Sequence, residues 1–216
     1  MLIQDSYLED EVRTGFYVTS KMKGCWATQL KILQVIDKIC RKHNIQYFAE
    51  WGTLLGCIRH GGFIPWDDDI DIGMLREDFE KFRKLCPKIL APHLSYQSYT
   101  DEPTSHYIFD KVRLRDTYFS TKFSNRFRNI ENGLFVDILV YDRTANSNFL
   151  QKFHINSIRF FRRLINIRWV GKARRGIHYR ASKLLLPIMK KVPFPVYHRF
   201  FERALQMFDF KKNSKY

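Results

Sequence analysis

Glu50-Trp51-Gly52-Thr53-Leu54-Leu55-Gly56-Cys57-Ile58-Arg59-His60-Gly61-Gly62-Phe63-Ile64-Pro65-Trp66-Asp67-Asp68-Asp69-Ile70-Asp71-Ile72 is the run of this chain richest in chemistry. Ile45-Gln46-Tyr47-Phe48-Ala49 just before it reads as a strand, and Gly52 to Gly56 as a tight turn leading into a short helix. At the far end, Asp67, Asp68, Asp69 and Asp71 fall within five residues. From Asp67 to Gly73 acidic and apolar residues alternate, which predicts a strand. Asp67, Asp69 and Asp71 then share one face, and Asp68 and Ile70 the other. Carboxylates this close discourage one another from ionising unless a cation lies between them. Mg²⁺ is typically held by one or two carboxylates together with substrate phosphates. A two-metal site activates an attacking hydroxyl and neutralises a leaving phosphate. A solvated acidic loop, or an N-cap cluster, gives the same pattern, so the acids alone leave the choice open.

Outward from that run, Ala27 to His43 has the spacing of an amphipathic helix, with Leu30, Leu33, Ile36 and Cys40 on one face and Asn44 as its stop. Glu77 to Leu85 has helical spacing again, ended by Pro87. Strands are expected at Tyr107–Arg115 and Tyr118–Phe123, and in Leu134-Phe135-Val136-Asp137-Ile138-Leu139-Val140. Asp137 interrupts that last apolar run and is costly to bury without a partner. Either a metal or a backbone hydrogen bond could account for it. Gly52-Thr53 lets backbone N–H groups approach a phosphate, unless it is an ordinary turn. Arg59, Lys111, Arg113 and Arg115 are the basic residues on neighbouring elements. The last three alternate on one strand face, which is also what a solvated face looks like.

The 216 residues carry 37 Lys and Arg against 22 Asp and Glu, a formal net charge of +15. Residues 145–216 hold 17 basic and two acidic side chains, while residues 1–144 balance at 20 of each. With 45% apolar and 16% aromatic residues the chain is not a disordered polyelectrolyte. No apolar run reaches the roughly 18 residues that span a bilayer. Met1-Leu2-Ile3-Gln4-Asp5 lacks the layout of a signal peptide. Cys25, Cys40, Cys57 and Cys86 form no CxxC pair, so neither a zinc site nor a disulfide framework is indicated, and the cytoplasm is the expected location. The basic region reads as helices from Phe149 to Ile165, around Lys183–Pro187 and from Tyr197 to Phe208. The expected loop at 171–176 and Pro193-Phe194-Pro195 separate them. The expected organisation is a core at 1–144 and a basic helical region at 145–216. That region suits an anionic partner: a phosphate-bearing substrate, a membrane surface or nucleic acid.

The run from Glu50 to Ile72 resembles the hallmark of the LicD family of choline-phosphate transferases, which has fukutin and fukutin-related protein as distant relatives. The resemblance extends from about Leu30, through Gly133-Leu134-Phe135-Val136-Asp137-Ile138, to Asp142. It implies an α+β fold of nucleotidyltransferase type, a mixed β-sheet flanked by helices, with the basic helices as an appendage. It also implies Asp69, Asp71 and Asp137 as ligands of Mg²⁺ or Mn²⁺, two ions in all, and as the catalytic acids. Gly52 and Thr53 match the position that contacts donor phosphates. Arg59, Lys111 and Arg113 stand as further substrate-binding candidates. The implied reaction takes a CDP-linked alcohol, CDP-choline being the commonest, moves the alcohol phosphate to a sugar hydroxyl of a glycan or lipid-linked precursor, and releases CMP. Such an enzyme works in the cytoplasm, with the basic region against the inner face of an anionic membrane. The family's closing segment, with its tyrosine and glycine, has no match before Tyr216, as expected of a shortened or truncated chain. Two other readings are weighed: a nucleotidyltransferase acting on nucleic acid, for which the basic region shows no recognised motif, and a non-catalytic scaffold, against which the intact acid set stands.

Overall fold

In the computed structural model, the described residues are 4–100, 107–119, 132–170, 186–208 and 214–215. They divide into two compact units, residues 1–97 with 109–140, and residues 98–108 with 141–216.

The first unit is built on a five-stranded mixed sheet in the order β3-β4-β7-β6-β5. Its strands are β3 (Phe48–Ala49), β4 (Asp71–Leu75), β5 (Leu94–Gln97), β6 (Asp110–Leu114) and β7 (Phe135–Tyr141). β3 pairs antiparallel with β4, β5 with β6, and β6 with β7. Lys111 stands opposite Asp137, and Arg113 opposite Phe135. Because side chains alternate along a strand, Ile70, Ile72, Met74, Val112, Val136 and Ile138 face one way. There they pack on Ile32, Ile36, Ile39 and Cys40 of α1 (Ser20–Lys42) and on Phe79, Phe82 and Cys86 of α3 (Arg76–Ile89). Asp71, Lys111, Arg113, Phe135 and Asp137 are left on the opposite face.

Local chemistry explains the helix ends. Thr19 caps α1, its hydroxyl accepting from the Met22 N–H at 3.2 Å. Asn44, in the left-handed region at φ 51°, closes it as an αL stop. α3 places Glu77 and Asp78 in its first turn, where negative charge suits the helix dipole. It also runs through Pro87 to Ile89, past the expected stop. A proline one turn from the end forfeits a single intrahelical bond, and burial of Phe82 and Cys86 holds the turn.

The sheet also differs from expectation in its details. β4 starts at Asp71, so Asp67 to Ile70 form an irregular segment and not the first half of a strand. β3 is only two residues long. Gly52 to Gly56 are not a turn, since α2 begins at Trp51 and runs to His60. β6 ends at Leu114, leaving Arg115 in a turn, where its Nε donates to the Leu94 carbonyl at 3.2 Å. Tyr118 and Phe119 are not in a strand, and the remainder of that expected strand lies outside the described residues. A hairpin of β1 (Glu11–Arg13) and β2 (Phe16–Val18), and strand β5, were not foreseen.

Gly56 shows how tightly α2 is fitted. A Cβ there would lie 2.4 Å from the Gly62 carbonyl oxygen and 3.1 Å from the Ile64 nitrogen, both backbone atoms. Gly56→Ala should therefore destabilise the chain by about 1–3 kcal/mol despite alanine's better helix propensity, because the 61–64 loop has to move. A denaturant titration measures this. An unchanged midpoint would show that the loop yields freely.

In the second unit, α4 (Asn148–Val170) and α5 (Phe194–Leu205) enclose a cluster of Tyr99, Ile165, Met189, Phe194, Tyr197 and Phe201. β8 (Thr144–Ala145) pairs antiparallel with β9 (Ser214–Lys215). α4 matches the helix expected from Phe149. The Pro193-Phe194-Pro195 break is also a beginning: Pro193 is the N-cap of α5 and Pro195 sits in its first turn, where a missing N–H costs nothing. Residues 171–185, with the expected loop and most of the Lys183–Pro187 helix, lie outside the described residues. Among the described residues, no helix is long and apolar enough to cross a membrane.

Candidate active site

The face of the sheet away from α1 and α3 gathers the acids. β4 lies beside β7, tied by the Asp137 N–H donating to the Ile70 carbonyl at 2.9 Å. That registry sets Asp71 next to Asp137. Asp69, just ahead of β4, completes the group: one carboxylate oxygen from each of the three lies within 4.8 Å of the others. Asp67, Asp68 and Asp69 make a second group by the same measure, so Asp69 belongs to both.

Asp71 and Asp137 are buried, and charge is accordingly expensive there. Burial first, then the neighbouring Asp69 and Asp137 carboxylates, push Asp71 up to about 7. Burial, then Asp67 and Asp137, push Asp69 up to about 6. Asp137 is raised by burial, against the opposing pull of Lys111. Lys111 is itself buried and forms an ion pair with the Asp137 carboxylate. Burial lowers its ammonium from the usual range, and Asp137 works against that lowering. Its Nζ also sits 3.8 Å from the centre of the Phe135 ring and 4.7 Å from that of Phe109. Three carboxylates facing one lysine leave an excess of negative charge. Oxygen donors in that excess suit a hard divalent cation.

The α2 N-terminus borders the acids. The Asp71 N–H donates to Thr53 Oγ1 at 2.8 Å, so Thr53 fixes the start of β4. A Cβ on Gly52 would lie 2.2 Å from Asp67 Oδ2. The Asp67 carboxylate thus rests against the first turn of α2, where burial raises it above the ordinary carboxylate range. Gly52→Ala should leave the fold intact, since alanine suits a helix and Asp67 can swing aside. It should weaken any divalent-cation response by roughly ten- to a hundredfold, as loss of a ligand's outer support does. A thermal melt with metal titration reads both, and a wild-type response would make the placement of Asp67 immaterial. Trp51, at the helix start, adopts φ 41°, a strained backbone for a bulky residue.

Two residues that sequence reading passed over hold the irregular acidic segment. Trp26 Nε1 donates to the Asp67 carbonyl at 2.8 Å, and Gln29 Nε2 to the Asp68 carbonyl at 2.7 Å. Both are fully buried on α1, and Trp26 stacks on Phe63 with ring centres 4.8 Å apart. A glutamine on the apolar face of an amphipathic helix was the available signal.

The remaining candidates are placed differently. Arg113 is 2% exposed, and its guanidinium donates to Gln97 Oε1 at 2.6 Å and to the Gly133 carbonyl at 2.7 Å, with its Cζ 5.0 Å from the Phe135 ring centre. Arg59 is exposed in the last turn of α2, and among the described residues no ion pair joins it to the acids.

A mixed sheet flanked by helices, with carboxylates gathered on one of its faces, makes the first unit an α+β domain. Residues 44–166 match the model of the LicD/FKTN/FKRP nucleotidyltransferase domain, and the chain belongs to that family. It is 31% identical over 117 residues to the lipopolysaccharide cholinephosphotransferase LicD of Haemophilus influenzae, a match covering 54% of this chain and 43% of that one. To an uncharacterised protein of Rickettsia typhi it is 32% identical over 121 residues, 56% of this chain and 35% of that one. To the human ribitol 5-phosphate transferase FKRP it is 53% identical over 35 residues, 16% of this chain and 7% of that one. The chain thus spans less than half the length of these curated relatives.

Proposed function

We propose that the chain is a metal-dependent transferase that moves an alcohol phosphate from a CDP-linked donor to a sugar hydroxyl of a cell-surface glycan or its lipid-linked precursor, releasing CMP. The observation that carries this reading is the convergence of Asp69, Asp71 and Asp137 within 4.8 Å. Family membership supports the phosphate-transfer class. The name of the Haemophilus relative favours phosphocholine, while that of FKRP keeps ribitol phosphate among the donors to be tried.

Asp69, Asp71 and Asp137 would hold Mg²⁺ or Mn²⁺, with Asp67 and Asp68 offering oxygens for a second ion around Asp69. When bound, divalent cations neutralise the donor phosphates and make the acceptor hydroxyl more acidic. The chain's own groups do the rest. The acceptor oxygen attacks the phosphorus that carries the alcohol, and the bond from that phosphorus to the bridging oxygen breaks. CMP leaves with the bridging oxygen. In this proposal Asp137 is also the candidate general base for the hydroxyl proton. The Lys111 ammonium balances charge as it builds on the leaving phosphate. Thr53 and Gly52, at the start of α2, offer a hydroxyl and N–H groups to the donor phosphates. In this proposal the enzyme works in the cytoplasm.

The test measures CMP release from CDP-choline, CDP-ribitol and CDP-glycerol, each with Mg²⁺ and with a glycan acceptor. Turnover of one donor, abolished by chelator, is the expected result. Absence of turnover with every donor would sink the reading.

A further inference from the structure

The second unit carries a surface that phosphate transfer does not use. Phe149, Phe153 and Phe160 of α4 are 78%, 55% and 56% exposed. Spacings of four and seven residues put them on one stripe of the helix. His154, Ile158, Phe161 and Ile165 take the inward side, so α4 is apolar both inside and out. Half-buried Phe161, at the edge of the inward side, links the stripe to α5: Phe160 meets it edge-on at 5.3 Å, and it stacks on the exposed Phe200 at 5.9 Å. Leu150, Ile155 and Ile188 are exposed as well. Exposed apolar groups gathered in this way mark an interaction surface.

Cations border the stripe. Lys152, Arg159 and Arg163 line one side of it on α4, and Arg199 and Arg203 sit beside Phe200 on α5. Among the described residues, no carboxylate pairs with Arg159, Arg162 or Arg163. Residues 145–216 offer only two acids against 17 bases, and one of the two, Glu202, accepts from the Tyr99 hydroxyl.

We infer that the outer face of α4 and α5 docks on an anionic phospholipid bilayer, with Phe149, Phe153, Phe160 and Phe200 entering the headgroup boundary and the arginines meeting lipid phosphates. An interfacial helix has this make-up, aromatic and aliphatic on one side and basic at its flanks. Charge complementarity names the partner, and the exposed aliphatic side chains separate a bilayer from nucleic acid. Bases stack on rings but gain nothing from Leu150, whereas acyl chains accept it with the rings. This inference stands independently of the transfer reaction.

Co-sedimentation of the 216-residue chain with vesicles tests it, using phosphatidylcholine alone and phosphatidylcholine mixed with phosphatidylglycerol. Binding should require the anionic lipid and weaken with salt. Arg159→Gln and Arg163→Gln should each lower the partition about fivefold. Phe153→Ser combined with Phe160→Ser should abolish it, and Phe160→Leu should retain it. These positions are exposed, so circular dichroism should match wild type in every variant. Equal partition onto both vesicle types, or none onto either, overturns the inference. So does binding to single-stranded RNA without binding to vesicles, which would assign the face to nucleic acid.

Discussion

Asp71→Asn should cut CMP release by about three orders of magnitude while leaving the metal-free chain at least as stable as wild type. Loss of a carboxylate that helps neutralise transferring phosphates removes several kcal/mol from the transition state, and each 1.36 kcal/mol is tenfold in rate. The stability half of the prediction has a separate origin. Burial pushes Asp71 up to about 7, and the nearby Asp69 and Asp137 carboxylates add to that push. The ionised side chain is therefore a strain on the fold in the absence of a cation, and asparagine relieves it with almost no change of shape. The backbone bond from the Asp71 N–H to Thr53 survives the substitution. Steady-state CMP release and a denaturant titration on the same preparation separate the outcomes. Full activity in the variant would remove Asp71 from the mechanism. Joint loss of activity and stability would make it a structural residue.

The carboxylates were legible because each broke a local rule. Asp137 interrupts an apolar strand, and Asp71 lies in a segment of period two, so alternation alone put both on one side of their strands. Asp69 reached the cluster by another route. The strand expected from Asp67 is irregular up to Ile70, and long-range bonds from Trp26 and Gln29 fix its carbonyls. Sequence spacing carries no trace of a partner some 40 residues away. Asp110 shows the same limit from the other side. It too is a buried acid on a central strand, but its neighbours are Tyr96, whose hydroxyl donates to it, and Arg83, at 3.2 Å. Only the pairing of strands reveals that Asp110 faces α3 and Asp137 faces away. Basic residues were harder still: Lys111 and Arg113 do share a face, yet Phe135 lies beneath both and Arg113 is bonded to Gln97 and Gly133.

Misread elements have equally local causes. The β1–β2 hairpin turns at Thr14-Gly15, with φ 49° and 79°. Both are positive, as a two-residue hairpin turn demands, but a threonine holds the place where asparagine or aspartate would advertise it. Gly52 was read as a turn residue, and it is in fact a helix residue that has given up its side chain to admit the Asp67 carboxylate. Pro87 and Pro193-Phe194-Pro195 were taken as stops, although Pro195 helps open a helix and Pro87 lies inside one.

Without divalent metal, Asp69 and Asp71 should stabilise the chain in mild acid and withdraw that contribution as the pH rises from about 4 to about 7. His198, which burial holds down to about 4 against the ordinary 6.5, works in the opposite sense from about pH 4 to 6.5. The sign for the acids follows from their values: Asp69 at about 6 and Asp71 at about 7 both lie above the ordinary 3.8. Across their window the folded state holds protons on them that the unfolded chain has released, so for these two groups raising the pH favours unfolding. A bound cation reverses the preference, because its ligands must be deprotonated and its charge replaces the protons. At a hundredfold excess over its dissociation constant, a ligand of the folded state adds about 2.7 kcal/mol. For a chain of this size that is a rise in Tm of roughly 5–10 °C. Mg²⁺ or Mn²⁺ should deliver that rise at about pH 8 and much less at about pH 5.5, where metal competes with protons. Thermal melts at both pH values, with EDTA or with metal, measure it. Asp69→Asn combined with Asp71→Asn should remove the acids' share of the metal-free pH dependence, leaving the opposite slope of His198, and erase the metal-induced rise together with it, because the same carboxylates underlie both. A metal response that outlives both substitutions would move the cation site elsewhere in the molecule. A Tm indifferent to metal at both pH values would mean that the three acids meet without binding a cation.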